Sequence, residues 1–184
     1  MILIFSAPSG SGKSTLVNHL LGQRDDLEFS VSATSRPPRG TEQDGVAYYF
    51  ISPEDFKRRI DNGEFIEYQE VYPDCFYGTL KSEIDRIERN GHHVVFDVDV
   101  KGGVNLKQLF GDRALSLFIA PPSIDELRRR LIGRATDSPE MIDKRVAKAA
   151  EELTYANQFD KIIVNDNLEH AKKQTEQVIN CFLR

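Results

Sequence analysis

Cysteine is scarce in this chain: two among 184 residues, Cys75 and Cys181, far apart in the sequence. That spacing offers neither a disulfide framework nor a thiolate metal site, so free thiols in a reducing compartment are expected. The histidines, His19, His92, His93 and His170, show no paired metal-ligand spacing. Long apolar runs are missing as well. None approaches the ~18–20 residues that a bilayer-spanning helix needs, so no membrane partner is expected. No basic stretch precedes the first apolar run, because Met1 leads straight into Ile2-Leu3-Ile4-Phe5. A signal peptide is therefore not expected, and a cytoplasmic location is. Positive charge is in deficit: 24 Lys and Arg stand against 29 Asp and Glu, for a formal net charge of −5. That balance argues against a nucleic-acid partner held by its phosphate backbone. What remains is an ordinary soluble composition, 40% hydrophobic and 29% charged, in a chain of single-domain length.

The most informative stretch is Ala7-Pro8-Ser9-Gly10-Ser11-Gly12-Lys13-Ser14-Thr15. It follows the apolar run Ile2–Phe5 and opens a helical pattern of Leu16, Val17, Leu20 and Leu21. Strand, glycine-rich turn and helix start, in that order, are the context of a phosphate-binding P-loop. Gly10 and Gly12 permit backbone shapes closed to other residues, so N–H groups can approach phosphate oxygens closely. Those groups lie at a helix N-terminus, whose unpaired donors favour an anion. Lys13 can reach the terminal phosphates of a triphosphate, and the Ser14 hydroxyl can ligate Mg²⁺.

The remaining pattern alternates strand and helix, which predicts an α/β fold: a parallel sheet flanked by helices. Short β-like runs lie around 29–32 and 46–51. Ser52-Pro53-Glu54-Asp55 reads as a helix start with Ser as N-cap and Pro at the first helical position. A strand is expected over 65–68, and a helix over about 80–89 that stops near Asn90-Gly91. Residues 93–98 form a near-continuous apolar run, as in a central parallel strand. A helix around 104–109 and a buried strand over 115–120 follow. Ser123 to Glu126 is a capping box, with Leu127 and Leu131 on the inner face of its helix. Ser138-Pro139 opens a helix with Ile142, Val146, Ala149 and Leu153 at helical spacing. A strand over 161–164 and a helix over about 168–182 close the chain. Between residues 29 and 89 the short strands break the alternating rhythm, which predicts a small lobe inserted into the P-loop core.

Arg36-Pro37-Pro38-Arg39 places two guanidinium groups on a proline-stiffened segment, suited to clamping phosphate oxygens. With this segment in view, the chain resembles the guanylate kinases over essentially its whole length. The matching stretches are SAPSGSGKST (6–15), SVSATSRPPRGTEQDGVAYYF (30–50), FIEY (65–68), YGT (77–79), FDVDVKG (96–102), IAPPS (119–123), RRLIGRATD (129–137) and IIVNDNL (162–168). The P-loop alone is shared by many NTPases; its combination with Arg36/Arg39, FIEY and YGT is specific.

The resemblance implies a single guanylate-kinase-like domain. Its core would span about 1–31, 91–131 and 152–184, a GMP-binding lobe about 32–90, and a lid about 132–151. It implies ATP on the P-loop, Ala7 to Thr15, with Mg²⁺ as cofactor, and GMP in the lobe, with dGMP an open alternative. Arg36, Arg39, Tyr48 and Tyr77 correspond to contacts with the GMP phosphate, and Ser32, Glu67, Thr79 and Asp99 to contacts with guanine. The chemistry of the base agrees. A carboxylate such as Glu67 can accept from guanine N1–H and N2–H₂, while a hydroxyl of Ser32 or Thr79 can donate to O6. Adenine offers an acceptor at N1 and would leave that carboxylate unpaired.

Asp97 and Asp99, two apart at a strand end, can face the same way. One reading sends Asp97 toward a Mg²⁺ shell through water and Asp99 toward the acceptor; the other makes them caps of a nearby helix. Arg134 and Arg145 correspond to the family's phosphate-facing lid arginines, whereas Arg128 and Arg129 read as a solvated helix face. Ala135 stands where a lid glycine is usual, and Ala7 where the general P-loop pattern has glycine. Together the residues imply reversible phosphoryl transfer, ATP + GMP to ADP + GDP, with Lys13, Arg36, Arg134 and Arg145 as catalytic groups. The alternatives are a catalytically inactive guanylate-kinase-like interaction domain and a related P-loop kinase with another phosphorylated acceptor. Both a monomer and a homodimer are compatible with the sequence.

Overall fold

The computed structural model describes residues 1–133 and 138–184. Its elements begin with β1 (Ile2–Ser6), α1 (Lys13–Gln23), β2 (Leu27–Phe29), β3 (Ala33–Thr34), β4 (Tyr49–Phe50) and α2 (Pro53–Asp61). The middle of the chain forms β5 (Phe65–Tyr72), β6 (Cys75–Leu80), α3 (Lys81–Arg89), β7 (His93–Asp97) and α4 (Val100–Phe110). Then come β8 (Ala114–Ala120), α5 (Ile124–Gly133), α6 (Pro139–Leu153), β9 (Lys161–Val164) and α7 (Leu168–Phe182). They divide into two compact units: Met1–Leu27 with Val95–Arg184, and Glu28–Val94. The second is wider at both ends than the lobe expected over 32–90.

In the first unit the apolar runs become central strands. Every residue of β1 and β8 is buried, without the alternation of a half-exposed strand, because helices cover both faces. β1 pairs in parallel with β8, and β8 with β9. The sheet order among the described residues is β2-β7-β1-β8-β9. The switch between β1 and its two neighbours puts the loop after β1 at the carboxyl end of the sheet, where ligands of such folds bind. α5 and α6 share a small core of Leu127, Leu131, Ile142, Val146 and Ala149. The start of α6 is as its sequence predicts, with Ser138 Oγ accepting from Met141 N.

The helix predicted around 104–109 begins earlier, at Val100. Gly102 and Gly103 look like breakers in sequence, but a side chain at 103 would collide with Ser6 Oγ and the Phe159 ring. Glycine is there for close packing, not to end the helix. The strand predicted over 93–98 stops at Asp97, since Asp99 already caps α4.

In the second unit β3, β4, β5 and β6 form a sheet of order β4-β3-β6-β5, with β3 parallel to β4 and antiparallel to β6. The predicted short strands move: the run at 29–32 is replaced by β2 at Leu27–Phe29, and that at 46–51 shrinks to β4. Phe56, Phe65 and Phe76 stack in its core with Ala33 and Leu80. The strand predicted over 65–68 is the start of a longer hairpin. Its turn is Tyr72-Pro73-Asp74-Cys75, with Tyr72 opposite Cys75. Pro73 fixes the first central position and Asp74 takes φ 59° at the second, the combination a type II turn requires. The helix expected from about Leu80 starts at Lys81 and ends at Asn90-Gly91, where Gly91 has φ 80°.

Candidate active site

The phosphate-loop group of residues lies in the first unit. Gly10 and Gly12 adopt φ 94° and 91°, values that disfavour side chains. Gly12 stands as N-cap of α1 without any side-chain cap, and the first turn of α1 has no acidic residue. Its backbone donors and positive dipole end are thereby left to an anion. A cavity of about 390 Å³ opens over the loop, walled by Ala7 to Gly10, Gly12 to Thr15, Asp97 to Asp99 and Glu152. Ser11 is the P-loop residue that does not line it; it is fully buried, and its hydroxyl has no hydrogen-bond partner among the described residues.

Lys13 Nζ is held 2.5 Å from Asp97 Oδ1 and 2.9 Å from the carbonyl of Val98. Its ammonium therefore stands above the loop with its position fixed by the end of β7. Arg145 reaches the loop from α6, Nη1 donating to Ser9 Oγ at 2.8 Å. Seven residues on, Glu152 sits on the same face of that helix. Burial pushes the Glu152 carboxyl up, against the lowering effect of Lys148.

Asp99 has a structural partner at the start of α4. Its Oδ1 accepts from Gly102 N at 2.7 Å, so it caps α4, although it still borders the cavity. The reading in which a strand-end carboxylate caps a helix applies to Asp99, and not to Asp97. Arg128 and Arg129 behave as solvated helix residues, paired with Asp143 and Glu126. Arg134 and Ala135, together with Thr136 and Asp137, lie outside the described residues.

A divalent cation would meet oxygen donors here: the exposed Ser14 hydroxyl and the Asp97 carboxylate both border the cavity. That sparse, hard set fits Mg²⁺, which keeps waters and uses one or two protein ligands plus substrate phosphates. Among the described residues no group of three or more His, Cys, Asp or Glu could hold a metal unaided.

The second group of predicted site residues lies in the second unit. Arg36, only 9% exposed, stacks over the Tyr48 and Phe50 rings at 5.0 and 5.7 Å. Its Nε donates to Tyr77 Oη at 3.0 Å. Nη1 and Nη2 grip both oxygens of Glu42 at 2.6 and 2.8 Å. The pair of arginines inferred from the sequence is thus not a pair of equals. Arg36 is bound into a carboxylate fork, while Arg39 is exposed and gives its backbone N–H to the same Glu42. Two arginine-derived donors hold the Glu42 carboxyl down at about 2, the Arg36 hydrogen bonds being the larger cause. Sequence reasoning missed Glu42; the signal was its place six residues after Arg36 on a turn, which no periodicity marks.

Glu67 and Thr79 face each other across β5 and β6, and Thr79 Oγ1 donates to Glu67 Oε1 at 2.7 Å. The Thr79 proton is therefore committed to the carboxylate and fixes its orientation, where the sequence had offered it to a ligand carbonyl. Ser32 gives its carbonyl to Tyr49 N at 2.9 Å. A second missed carboxylate, Glu83, is 2% exposed. Burial works to raise its pKa, but Arg86, the Val31 N–H and the Tyr49 hydroxyl outweigh it and leave the group lowered.

Comparison with known proteins places this arrangement. The family model described as guanylate kinase matches residues 1–181. A guanylate kinase of Bacteroides fragilis is 62% identical over 182 residues, covering 99% of this chain and 89% of that protein. One of Porphyromonas gingivalis is 55% identical over 183 residues, covering 99% and 97%. The crystal structure of guanylate kinase from Anaplasma phagocytophilum superposes with a TM-score of 0.73 at 31% identity, over 98% of this chain and 85% of that one. The chain belongs to the guanylate kinase family.

Proposed function

We propose that this protein catalyses reversible transfer of the γ-phosphoryl group of ATP to GMP, giving ADP and GDP. The observation that carries the reading is an intact phosphate loop with a fixed Lys13, in one chain with a carboxylate of guanine-binding type, Glu67 held by Thr79.

In this reading the α and β phosphates of ATP rest on the backbone donors of Gly10 to Thr15, and Lys13 meets the terminal phosphates. Ser14 and, through water, Asp97 would hold Mg²⁺, which when bound neutralises charge on the β and γ phosphates. Glu67 accepts from guanine N1–H and N2–H₂, and Ser32 is a further contact to the base. The GMP phosphate takes hydrogen bonds from Tyr48, Tyr77 and Arg39 and the positive field of Arg36. An oxygen of that phosphate attacks the γ-phosphorus, and the bond to the β–γ bridging oxygen breaks to release ADP. The acceptor is already largely ionised near neutral pH, its second pKa being about 6, so no general base is required. Lys13, Arg145 and Arg134 stabilise charge spreading over the transferred group, and the segment at about 132–151 serves as the lid. The proposal includes a cytoplasmic enzyme, monomeric or homodimeric, consistent with two free cysteines and with no helix among the described residues long and apolar enough to cross a membrane.

An inactive interaction domain is not favoured, because Lys13 and Ser14 are both present and border the cavity. The test is product identification. With Mg²⁺, ATP and GMP, phosphorus NMR should show ADP and GDP appearing one to one; ATP hydrolysis to free phosphate without GDP would overturn the assignment.

A further inference from the structure

The underside of the phosphate loop is built from residues to which no role has yet been given. Gly10 rests on α5, where an added Cβ would come within 3.0 Å of both Leu127 and Leu131. The next two loop residues rest on Asn165, just beyond β9. Asn165 is 5% exposed, and its Nδ2 donates to the carbonyl of Ser11 at 2.8 Å. A Cβ on Gly12 would collide with that same nitrogen, so Gly12 is required for the approach of Asn165 as well as for its own φ. The Asn165 backbone is fixed at both ends: its N–H donates to Ala120 at 2.8 Å, and its carbonyl accepts from Arg130 Nη2 at 2.9 Å. Arg130 is in turn held by Glu126, one turn earlier on α5, at 3.1 Å. Leu127, Arg130 and Leu131 share one face of that helix by their three- and four-residue spacing.

We infer that Asn165 is a positioning residue for the donor-phosphate loop, and that Arg130 holds it in place from α5. The carbonyl of Ser11 needs a donor because it is buried, and an unpaired buried carbonyl drives local rearrangement. With Nδ2 in place the Ser11–Gly12 peptide has one orientation, and the donors at the start of α1 stay aimed at the phosphates. Without it the peptide can turn, and those donors disperse. Asn165 touches neither phosphate nor base in this account; it acts through the loop.

The inference rests on the donor-loop reading above, and its test keeps the two apart. Wild type, Asn165→Ala and Asn165→Asp are titrated calorimetrically with inorganic tripolyphosphate, which reports on the loop without any acceptor. They are also assayed with ATP and GMP. In both variants the tripolyphosphate Kd and the KM for ATP should rise about tenfold, the KM for GMP should stay within about twofold, and Tm should fall by only a few degrees. Asn165→Asp keeps the volume of the side chain, and its carboxyl can donate to Ser11 only when protonated. Its affinity relative to wild type should therefore recover as pH falls below about 5. Arg130→Met should shift the same parameters in the same direction by less. Unchanged tripolyphosphate affinity would overturn the inference. So would a uniform loss of ATP and GMP parameters that tracks a fall in Tm, or an acid profile for Asn165→Asp parallel to wild type. A wild-type protein that binds tripolyphosphate yet never phosphorylates GMP would break the proposed function and leave calorimetry to decide this inference. Failure to bind tripolyphosphate would break both.

Discussion

The two half-sites hold charge in opposite ways. On the first unit the anion-binding groups are mainly backbone: an uncapped helix start, two glycines at positive φ, and a single lysine fixed by Asp97. On the second unit they are side chains, and two of them are already engaged, Arg36 by Glu42 and Tyr77, Thr79 by Glu67. A backbone cradle suits a phosphate chain common to all nucleoside triphosphates. A side-chain lattice suits discrimination, because a base that presents an acceptor to the half-buried Glu67 carboxylate cannot hydrogen-bond to it. In the proposed function, generality of the donor and selectivity for the acceptor come from different materials.

The contrast can be broken first at its strongest point. Lys13→Ala should lower kcat by about 10³-fold while Tm and circular dichroism stay those of wild type, since the side chain works on charge developing in the transition state. Glu67→Gln should come next. It presents a donor where guanine also presents donors, so kcat/KM for GMP should fall about 10²-fold with the Kd for ATP unchanged; equal loss of both would mean a structural role. Glu42→Ala should cost about tenfold in kcat/KM for GMP and nothing in ATP binding, by releasing Arg36 from its fixed orientation.

The same pair has a pH signature. Because the Glu42 carboxyl is lowered from 4.5 to about 2 in the folded state, its contribution to stability is complete above about 4.5 and is lost as pH falls toward 2. Its carboxyl carbon should titrate near 2 by NMR in wild type and clearly higher in Arg36→Ala, though still below the ordinary value because the Arg39 N–H remains. The smallest effect is expected at Glu152, where burial raises the pKa and ionisation therefore weighs against the fold. Glu152→Gln should raise Tm at neutral pH, and that gain should vanish as pH drops below the ordinary carboxylate range, where wild type is protonated too.

The first unit was more legible in sequence than the second for the same physical reason. A P-loop is a local object: strand, glycines, lysine and helix start follow one another within fifteen residues, and φ at Gly10 and Gly12 is dictated on the spot. Ser138 and Pro139 announced their helix in the same local way. In the second unit the partners are brought together by turns and strand register. Arg36 meets Glu42 across a turn, Glu67 meets Thr79 across a hairpin, and Glu83 collects donors from three separate segments. Residues 69–72 of that hairpin are exposed and show no alternation, so only the start of β5 could be read. Asp99 shows the limit of position without geometry: its place at the strand end was read correctly, but the side chain is used to cap α4. Asn165 belongs to the family-matching stretch 162–168, and nothing in sequence links it to Ser11.

The proposed division of labour is that Glu67 and its neighbours select guanine while the phosphate loop holds ATP, which supplies the phosphoryl group. Its most direct measurement is ADP release in a coupled assay with Mg²⁺ and ATP, comparing GMP, AMP, CMP, UMP and IMP as acceptors. GMP should be far ahead, with IMP, which keeps N1–H and O6 but lacks the 2-amino group, a weaker substrate and the others near background. Preference for any acceptor other than GMP would contradict it.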